Sequence, residues 1–182
     1  AISVINKSLA YIGKDPLIRL QNKWFGQDQA TALDKKYQKI PLTSVERAYL
    51  NEKKKINICV DPYWMPLEKI EHGKYIGISA EYTNIISSRM NTPITLVPTK
   101  TWEESIAFIK DRKCDILSSA METPIRKTYL NFTTPYLNLP LVIATTNDKF
   151  FITTAEELNG KKIGIVRGYA FKELLKKKYP DI

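Results

Sequence analysis

Ile56-Asn57-Ile58-Cys59-Val60 is a short run of strand formers halted at once by Asp61-Pro62, and it opens the stretch that decides the fold. Downstream of it, Ser79 reads as the cap of a helix whose Tyr82, Ile85, Ile86 and Met90 line one face. Thr95-Leu96-Val97 reads as a second strand. Thr101-x-x-Glu104 has the spacing of a capping box, in which side chains satisfy free amides at a helix start, and the helix it opens turns Trp102, Ile106 and Ile109 inward. Cys114-Asp115-Ile116-Leu117 reads as a third strand. Alternation of strands and helices predicts an α/β fold with a mostly parallel sheet covered on both faces.

Further along, the apolar run from Leu139 to Ala144 is a candidate crossing strand. The pattern then restarts. Thr154-x-x-Glu157 caps a short helix ended by Gly160, Ile163-Gly164-Ile165-Val166 reads as a strand, and a helix with Phe171, Leu174 and Leu175 inward follows Gly168. Upstream, Thr43-x-x-Glu46 predicts a helix that Lys53-Lys54-Lys55 ends, and residues 26–41 are polar enough to read as a linker. Before that, Ile2, Ile5, Leu9 and Ile12 recur at helical spacing, and Leu17, Leu20 and Trp24 share a face of a second helix that stops at Gly26. Two such helices cannot bury their faces alone and must pack on the rest of the chain or on another domain. The expected division is therefore 1–40, a helical tail and linker; 41–140, a first α/β lobe; and 141–182, a crossing strand and the start of a second lobe.

The bulk composition limits the function classes. With 182 residues, 43% hydrophobic and 26% charged, the chain is long enough for a real core and ordinary for a globular protein. The net charge of +9 raises the question of nucleic acid. Part of the excess sits in Lys53-Lys54-Lys55 and Lys176-Lys177-Lys178, which close predicted helices, and no aromatic-interleaved basic stripe accompanies them, so nucleic acid is not an expected partner. Neither of the two cysteines, Cys59 and Cys114, belongs to a metal-ligating cluster. No metal or cofactor is expected. Cys59, in its apolar run, reads as a buried thiol, and the spacing leaves open whether the two cysteines pair. His72, in a turn-like Glu71-His72-Gly73-Lys74, reads as exposed.

Ligands of open α/β sheets bind at the carboxyl ends of the strands, so the residues just after each strand matter most. The first strand delivers Asp61 to Pro66, where Tyr63 and Trp64 offer flat apolar faces with polar tips. After the third strand come Ser118-Ser119 and then Thr123-Pro124-Ile125-Arg126. Hydroxyls there can cradle an anion, and the Arg126 guanidinium can grip a carboxylate through two parallel hydrogen bonds. Taken alone, the same residues read better as a capped short helix with a surface ion pair at Arg126 that is worth little. In the later segment, Gly168-Tyr169-Ala170 lies between a strand and a helix, where free backbone amides make an anion site.

Together these segments resemble the family 3 extracellular solute-binding proteins, especially the Venus-flytrap sensor modules of bacterial hybrid histidine kinases. The resemblance runs from about Glu46 to Ile182 and is carried by Glu46 to Leu50, Asp61 to Pro66, Gly73 to Ile78, Pro98 to Trp102, Cys114 to Leu117, Thr123 to Arg126, and Asn131-Phe132-Thr133 with Pro135-Tyr136. It implies a periplasmic-binding-protein-like fold of type 2, with two lobes, the first near complete and the second truncated, preceded by short helices. It also implies that Arg126 grips the carboxylate of an amino-acid-like ligand, assisted by Ser118-Ser119, the Tyr63-Trp64 pair and the amides of Gly168-Tyr169-Ala170. Met121 stands where amino-acid binders of the family carry a small hydroxyl residue, which sets a free amino acid against other small carboxylates as the ligand. Residues 1–40 resemble the closing helices of a preceding flytrap module, through Ile5 to Leu9 and Asn22-Lys23-Trp24. An extracytoplasmic place, a membrane-anchored receptor and a dimer are the setting the resemblance implies.

Two other classes remain at this level. One is a dehydratase-like enzyme on the same scaffold, for which Glu122 and Glu81 are the candidate acids. The other is a ligand-free regulatory module, such as one attached to a cell-wall lytic enzyme.

Overall fold

The structure, a computed structural model, describes residues 2–12, 20, 23–24 and 40–180. Helix α1 spans Ile2–Ile12 and α2 spans Ser44–Lys53. At the head of α2 the Thr43 hydroxyl accepts from the Glu46 amide at 3.3 Å, while the Thr43 amide donates to the Glu46 carboxylate at 2.8 Å, so the capping box forms as the spacing predicts. Strand β1, Ile56–Cys59, is central in a parallel sheet, with β5, Ile94–Leu96, on one side and β6, Ile116–Leu117, on the other. Register pairs Ile58 with Leu96 and with Ile116. Helix α3, Ile78–Met90, and helix α4, Trp102–Lys110, connect the strands. The three-stranded α/β unit expected from the sequence is present; β1 and β6 are shorter than the runs that predict them, and β5 is shifted by one residue toward the N-terminus.

The core explains where α1 goes. Val4, Ile5 and Ile12 join Ile56, Ile78, Tyr82, Ile85, Ile86 and Met90 in one buried cluster, so α1 packs on α3 of this same chain. Each large aliphatic side chain sealed there stabilises by about 1.5–3 kcal/mol. Lys7 ties α1 to α2 through Glu46 at 2.7 Å, and Asn6 accepts from the Thr134 amide at 2.9 Å. The segment read as a linker and most of the second N-terminal helix lie outside the described residues.

Four expectations are corrected. Ser79 does not cap α3; the cap is Gly77, and Ser79 falls in the first turn with its hydroxyl turned to Ser119. Cys59 is not a free thiol but is joined to Cys114 in a disulfide, the two α-carbons being 5.8 Å apart, with Cys59 ending β1 and Cys114 two residues before β6. Residues 139–144 and 163–166 form no strand: their side chains are largely exposed, and no neighbouring strand among the described residues supplies a ladder. The capped segment after Thr154 is a single 3-10 turn, Ala155–Leu158, rather than an α-helix. Helix α6, Phe171–Lys178, does form, with Phe171, Leu174 and Leu175 half-buried, and helix α5 is the four-residue Pro124–Lys127.

A second, antiparallel sheet was not expected. It is built of β2, Tyr63–Trp64, β3, Glu68–Glu71, and β4, Lys74–Ile76, and it hangs from the carboxyl end of β1. His72 and Gly73, with φ of 49° and 74°, make its hairpin turn, and His72 is exposed.

Candidate functional site

Two loops at the carboxyl ends of β1 and β6 build the site. After β1, Asp61 folds back on the chain, accepting from the Tyr63 amide at 2.9 Å, and its own amide donates to Glu68 at 2.9 Å. Asp61 is only 3% exposed. After β6, Thr123 caps α5, its hydroxyl accepting from the Arg126 amide at 3.2 Å with Pro124 in the first turn. This places Arg126 on the inward face, where it is 6% exposed.

The surroundings of Arg126 are unusual for a cation. Nη1 donates to the Met121 carbonyl at 2.8 Å and Nη2 to the Gly168 carbonyl at 3.0 Å, while the guanidinium lies 5.5 Å from the centroid of the Trp102 ring. Among the described residues no carboxylate comes within ion-pair distance of it. Burial lowers the guanidinium's pKa below its ordinary value, and Tyr129 and Glu173 partly offset that. The group stays charged, with neutral oxygens as its partners.

From the later segment, Gly168 and Tyr169 come to meet it. Gly168, at φ 78°, aims its carbonyl at Arg126 and at Trp102 Nε1, the latter at 3.1 Å, and a side chain there would press on Trp102 and Ile106. At this turn the Tyr169 amide is bonded to the Val166 carbonyl at 3.1 Å, and the Gly168 carbonyl faces the cation. The Tyr169 ring sits 5.7 Å from that of Trp64 and 6.0 Å from that of Trp102, and its hydroxyl donates to the Asp61 carboxylate. Ala170, buried, is the residue before α6.

Ser118 and Ser119 belong to an adjoining polar cluster. The Ser118 hydroxyl is 2.9 Å from that of Tyr75; the Ser119 hydroxyl is 2.8 Å from that of Ser79 and 3.3 Å from Glu68 Oε2. Glu68 is fully buried, and loss of water pushes its carboxyl up to about 7 against the pull of Ser118, the Asp61 amide and Tyr75. Thus the structure brings Trp64, Arg126, Gly168 and Tyr169 together and sets Ser118 and Ser119 behind them, linked through Glu68 and Asp61. Tyr63, 75% exposed, stands apart. Asp61, Glu68, Tyr75 and Trp102 were missed as site residues. Of these only Asp61, the first residue past a strand, carried a positional signal. The candidate acids of the enzyme reading are otherwise engaged, Glu81 with Lys23 at 2.5 Å and Trp24 Nε1 at 2.9 Å, and Glu122 with Lys127 at 2.5 Å.

A hollow of about 640 Å³ also opens beside β6. Ser118 and Ser119 touch it, but Arg126 does not, and Ile58, Ile86, Ile116 and Phe132 give it a mainly apolar wall. Its lining also takes in Ile94 of β5 and Tyr82 of α3, and among the described residues β6 is an edge strand of the parallel sheet. Among the described residues no cluster of three potential metal ligands occurs, and no helix is long and apolar enough to cross a membrane.

Comparison with known proteins agrees with this architecture. The chain is 29% identical over 105 residues to the virulence sensor protein BvgS of Bordetella pertussis, a stretch that is 58% of this chain and 8% of that protein. It is 27% identical over 130 residues to the ABC transporter arginine-binding protein 1 of Escherichia coli, covering 70% of this chain and 52% of the relative. The chain therefore spans about half, or much less, of the length of these relatives. The crystal structure of the B. pertussis BvgS periplasmic domain superposes with a TM-score of 0.70 at 23% identity, over 78% of this chain and 28% of that one. The fold is thus that of the two-lobed type 2 periplasmic binding proteins, over the part the chain spans. The profile of the bacterial extracellular solute-binding proteins, family 3, matches residues 56–181. The resemblance carried by Asp61 to Pro66 and Thr123 to Arg126 holds, and this chain, an extracytoplasmic binding module, belongs to that family.

Proposed function

We propose that the chain is the recognition part of a sensing module for a small anionic or amino-acid-like solute, with Arg126 as the carboxylate grip. The observation that supports this most is the partner set of Arg126: a buried guanidinium whose hydrogen bonds go to two backbone carbonyls. A carboxylate would replace neutral acceptors with charged ones in a water-poor place and add a direct charge–charge attraction, with the geometry of two parallel bonds. Trp64, Trp102 and Tyr169 supply flat walls, and Asp61 offers an acceptor for a donor at the far end of the solute. Relatives include arginine-binding and cystine-binding proteins, which supports a solute of that size and polarity.

In this reading residues 41–140 form a first lobe, 141–182 begin a second, and residues 139–145 act as a hinge. Solute held between Arg126 and the Gly168-Tyr169-Ala170 turn favours a closed arrangement, and the output follows the difference in affinity between open and closed states. The likeness to a virulence sensor supports a membrane-anchored receptor, with a histidine kinase as one form of output and a dimer as its assembly. The test is a thermal-shift screen of the protein with the L-amino acids, acetate, succinate, glutarate and nicotinate. A binder present at 100 times its Kd stabilises by about 2.7 kcal/mol, a readable rise in melting temperature. A flat response across the screen would overturn the proposal.

A further inference from the structure

Behind the Arg126 crevice the chain buries a carboxyl group among hydroxyls. Glu68 of β3 joins three pieces of the fold: Oε1 accepts from the Asp61 amide at 2.9 Å in the loop after β1, and Oε2 accepts from the Tyr75 phenol of β4 at 3.0 Å and from Ser119, after β6, at 3.3 Å. From there the contacts run on between hydroxyls in which either oxygen can donate. Tyr75 is 2.9 Å from Ser118, Ser118 is 3.3 Å from Ser119, and Ser119 is 2.8 Å from Ser79 of α3 and 3.4 Å from Tyr136. Asp61 is the other carboxylate beside Glu68, Tyr136 and Tyr169 face it at longer range, and on its own strand Lys69 is turned to Glu71 at 2.7 Å. No cation lies within ion-pair distance of Glu68 among the described residues.

Hydrogens in such a chain are a fixed stock. An ionised Glu68 only accepts, so it draws the Tyr75 and Ser119 hydrogens inward, and the Ser118 hydrogen in turn goes to one of their oxygens. A neutral Glu68 brings one more hydrogen and donates it to Ser119, which frees a hydroxyl hydrogen at the Ser118-Ser119 end. We propose that Glu68 is a positioning residue for the solute site: with its proton it turns a Ser118-Ser119 hydroxyl out as a donor to an acid, and without it the hydroxyls turn inward. This rests on the assignment of Arg126 as the solute grip. Loss of water first, with a smaller push from the Asp61 carboxylate, keeps the Glu68 proton in place up to about pH 7. Above that, the Glu68 charge also repels an anionic solute. Proton and acid therefore favour each other's binding by the same factor.

The first test needs no solute, so a flat solute screen, which would remove Arg126 as the grip, leaves it in force. Trp64 stands directly opposite Glu68 in the pairing of β2 with β3, and 5-fluorotryptophan there reads the charge beside it. Histidines titrate in the same range, so the chain's single one is first removed as His72→Gln. In that background the Trp64 fluorine resonance, assigned through Trp64→Phe, should titrate with a midpoint of about pH 7 and stay flat once Glu68→Gln is added. A resonance that does not titrate, or that titrates equally in Glu68→Gln, would overturn the proposal. Should Glu68→Gln fail to fold, Tyr75→Phe decides: loss of the phenol donor moves the midpoint to higher pH, and an unmoved midpoint contradicts the network. The second test takes whichever of acetate, succinate, glutarate and nicotinate gives the largest melting shift. Its Kd should weaken about tenfold from pH 6 to pH 8 in the wild type and be the same at both in Glu68→Gln. A wild-type Kd that does not change with pH sinks the proposal and leaves Arg126 as the grip.

Discussion

The phenol of Tyr75 donates to Glu68 Oε2 at 3.0 Å, across the hairpin that hangs from β1. No lysine, arginine or histidine is within ion-pair distance of Glu68 among the described residues, and the groups that face it are Asp61, Tyr75, Ser118, Ser119 and, at longer range, Tyr136 and Tyr169. A carboxyl so placed holds its proton in the folded protein up to about pH 7, whereas in the unfolded chain it loses it near 4.5. Because the native state binds the extra proton, the contribution of Glu68 to stability is complete below about pH 4.5 and is lost as pH rises through about 7. Glu68→Gln keeps the shape and the neutral state, so it should flatten this slope and stabilise the protein at pH 8 by about 1–3 kcal/mol. Urea unfolding of both proteins at pH 5 and pH 8 measures it; a variant with the wild-type slope would clear Glu68 of the effect.

The disulfide closes a loop of 55 residues that contains the whole hairpin, α3, β5 and α4. In the chain-entropy view a loop of this size is worth roughly 4 kcal/mol. Replacing Cys59 and Cys114 together by alanine should lower the melting temperature by about 8–16 °C, and dithiothreitol should lower that of the wild type only. A double variant that melts with the wild type would show that the bridge does not limit the unfolded chain.

Gly77 tolerates no side chain. Its φ is 113°, and a Cβ there would stand 2.5 Å from the Leu67 carbonyl oxygen, backbone that cannot swing aside. Gly77→Ala should cost about 2–4 kcal/mol and part the hairpin from α3, which a guanidinium melt would read directly. Gly73→Ala, with open space around it, carries only the strain of its positive φ and should cost about 1 kcal/mol.

Local codes were legible in the sequence, and long-range ones were not. Thr43, Thr101, Thr123 and Thr154 all stand at the starts their spacing predicts, because a cap is decided within four residues. The parallel sheet around Ile58 followed from apolar runs separated by helical periods. Ser79 misled because serine is the usual cap, while Gly77 holds that place for a backbone reason that only the approach of Leu67 reveals. The hairpin of Glu68 to Ile76 alternates too weakly in hydropathy to read as strands, although His72-Gly73 is a two-residue turn signal. Burial of Glu68 leaves no local trace, since it depends on Ser119, 51 residues away. Nor can a sequence say where the Tyr169 ring lies or that its turn offers a carbonyl. The apolar runs 139–144 and 163–166 have the composition of strands, but a strand is made by its neighbour.

The central claim is that Arg126 grips an acid. Isothermal titration of the best binder from the carboxylate and amino-acid screen into the wild type, Arg126→Lys and Arg126→Ala tests it most directly. Loss of a buried, charge-assisted pair should weaken binding by about 2–5 kcal/mol in Arg126→Ala, roughly 30-fold or more, with Arg126→Lys between the two because a point charge cannot make the forked contact. An unchanged Kd in a folded Arg126→Ala protein would contradict the account.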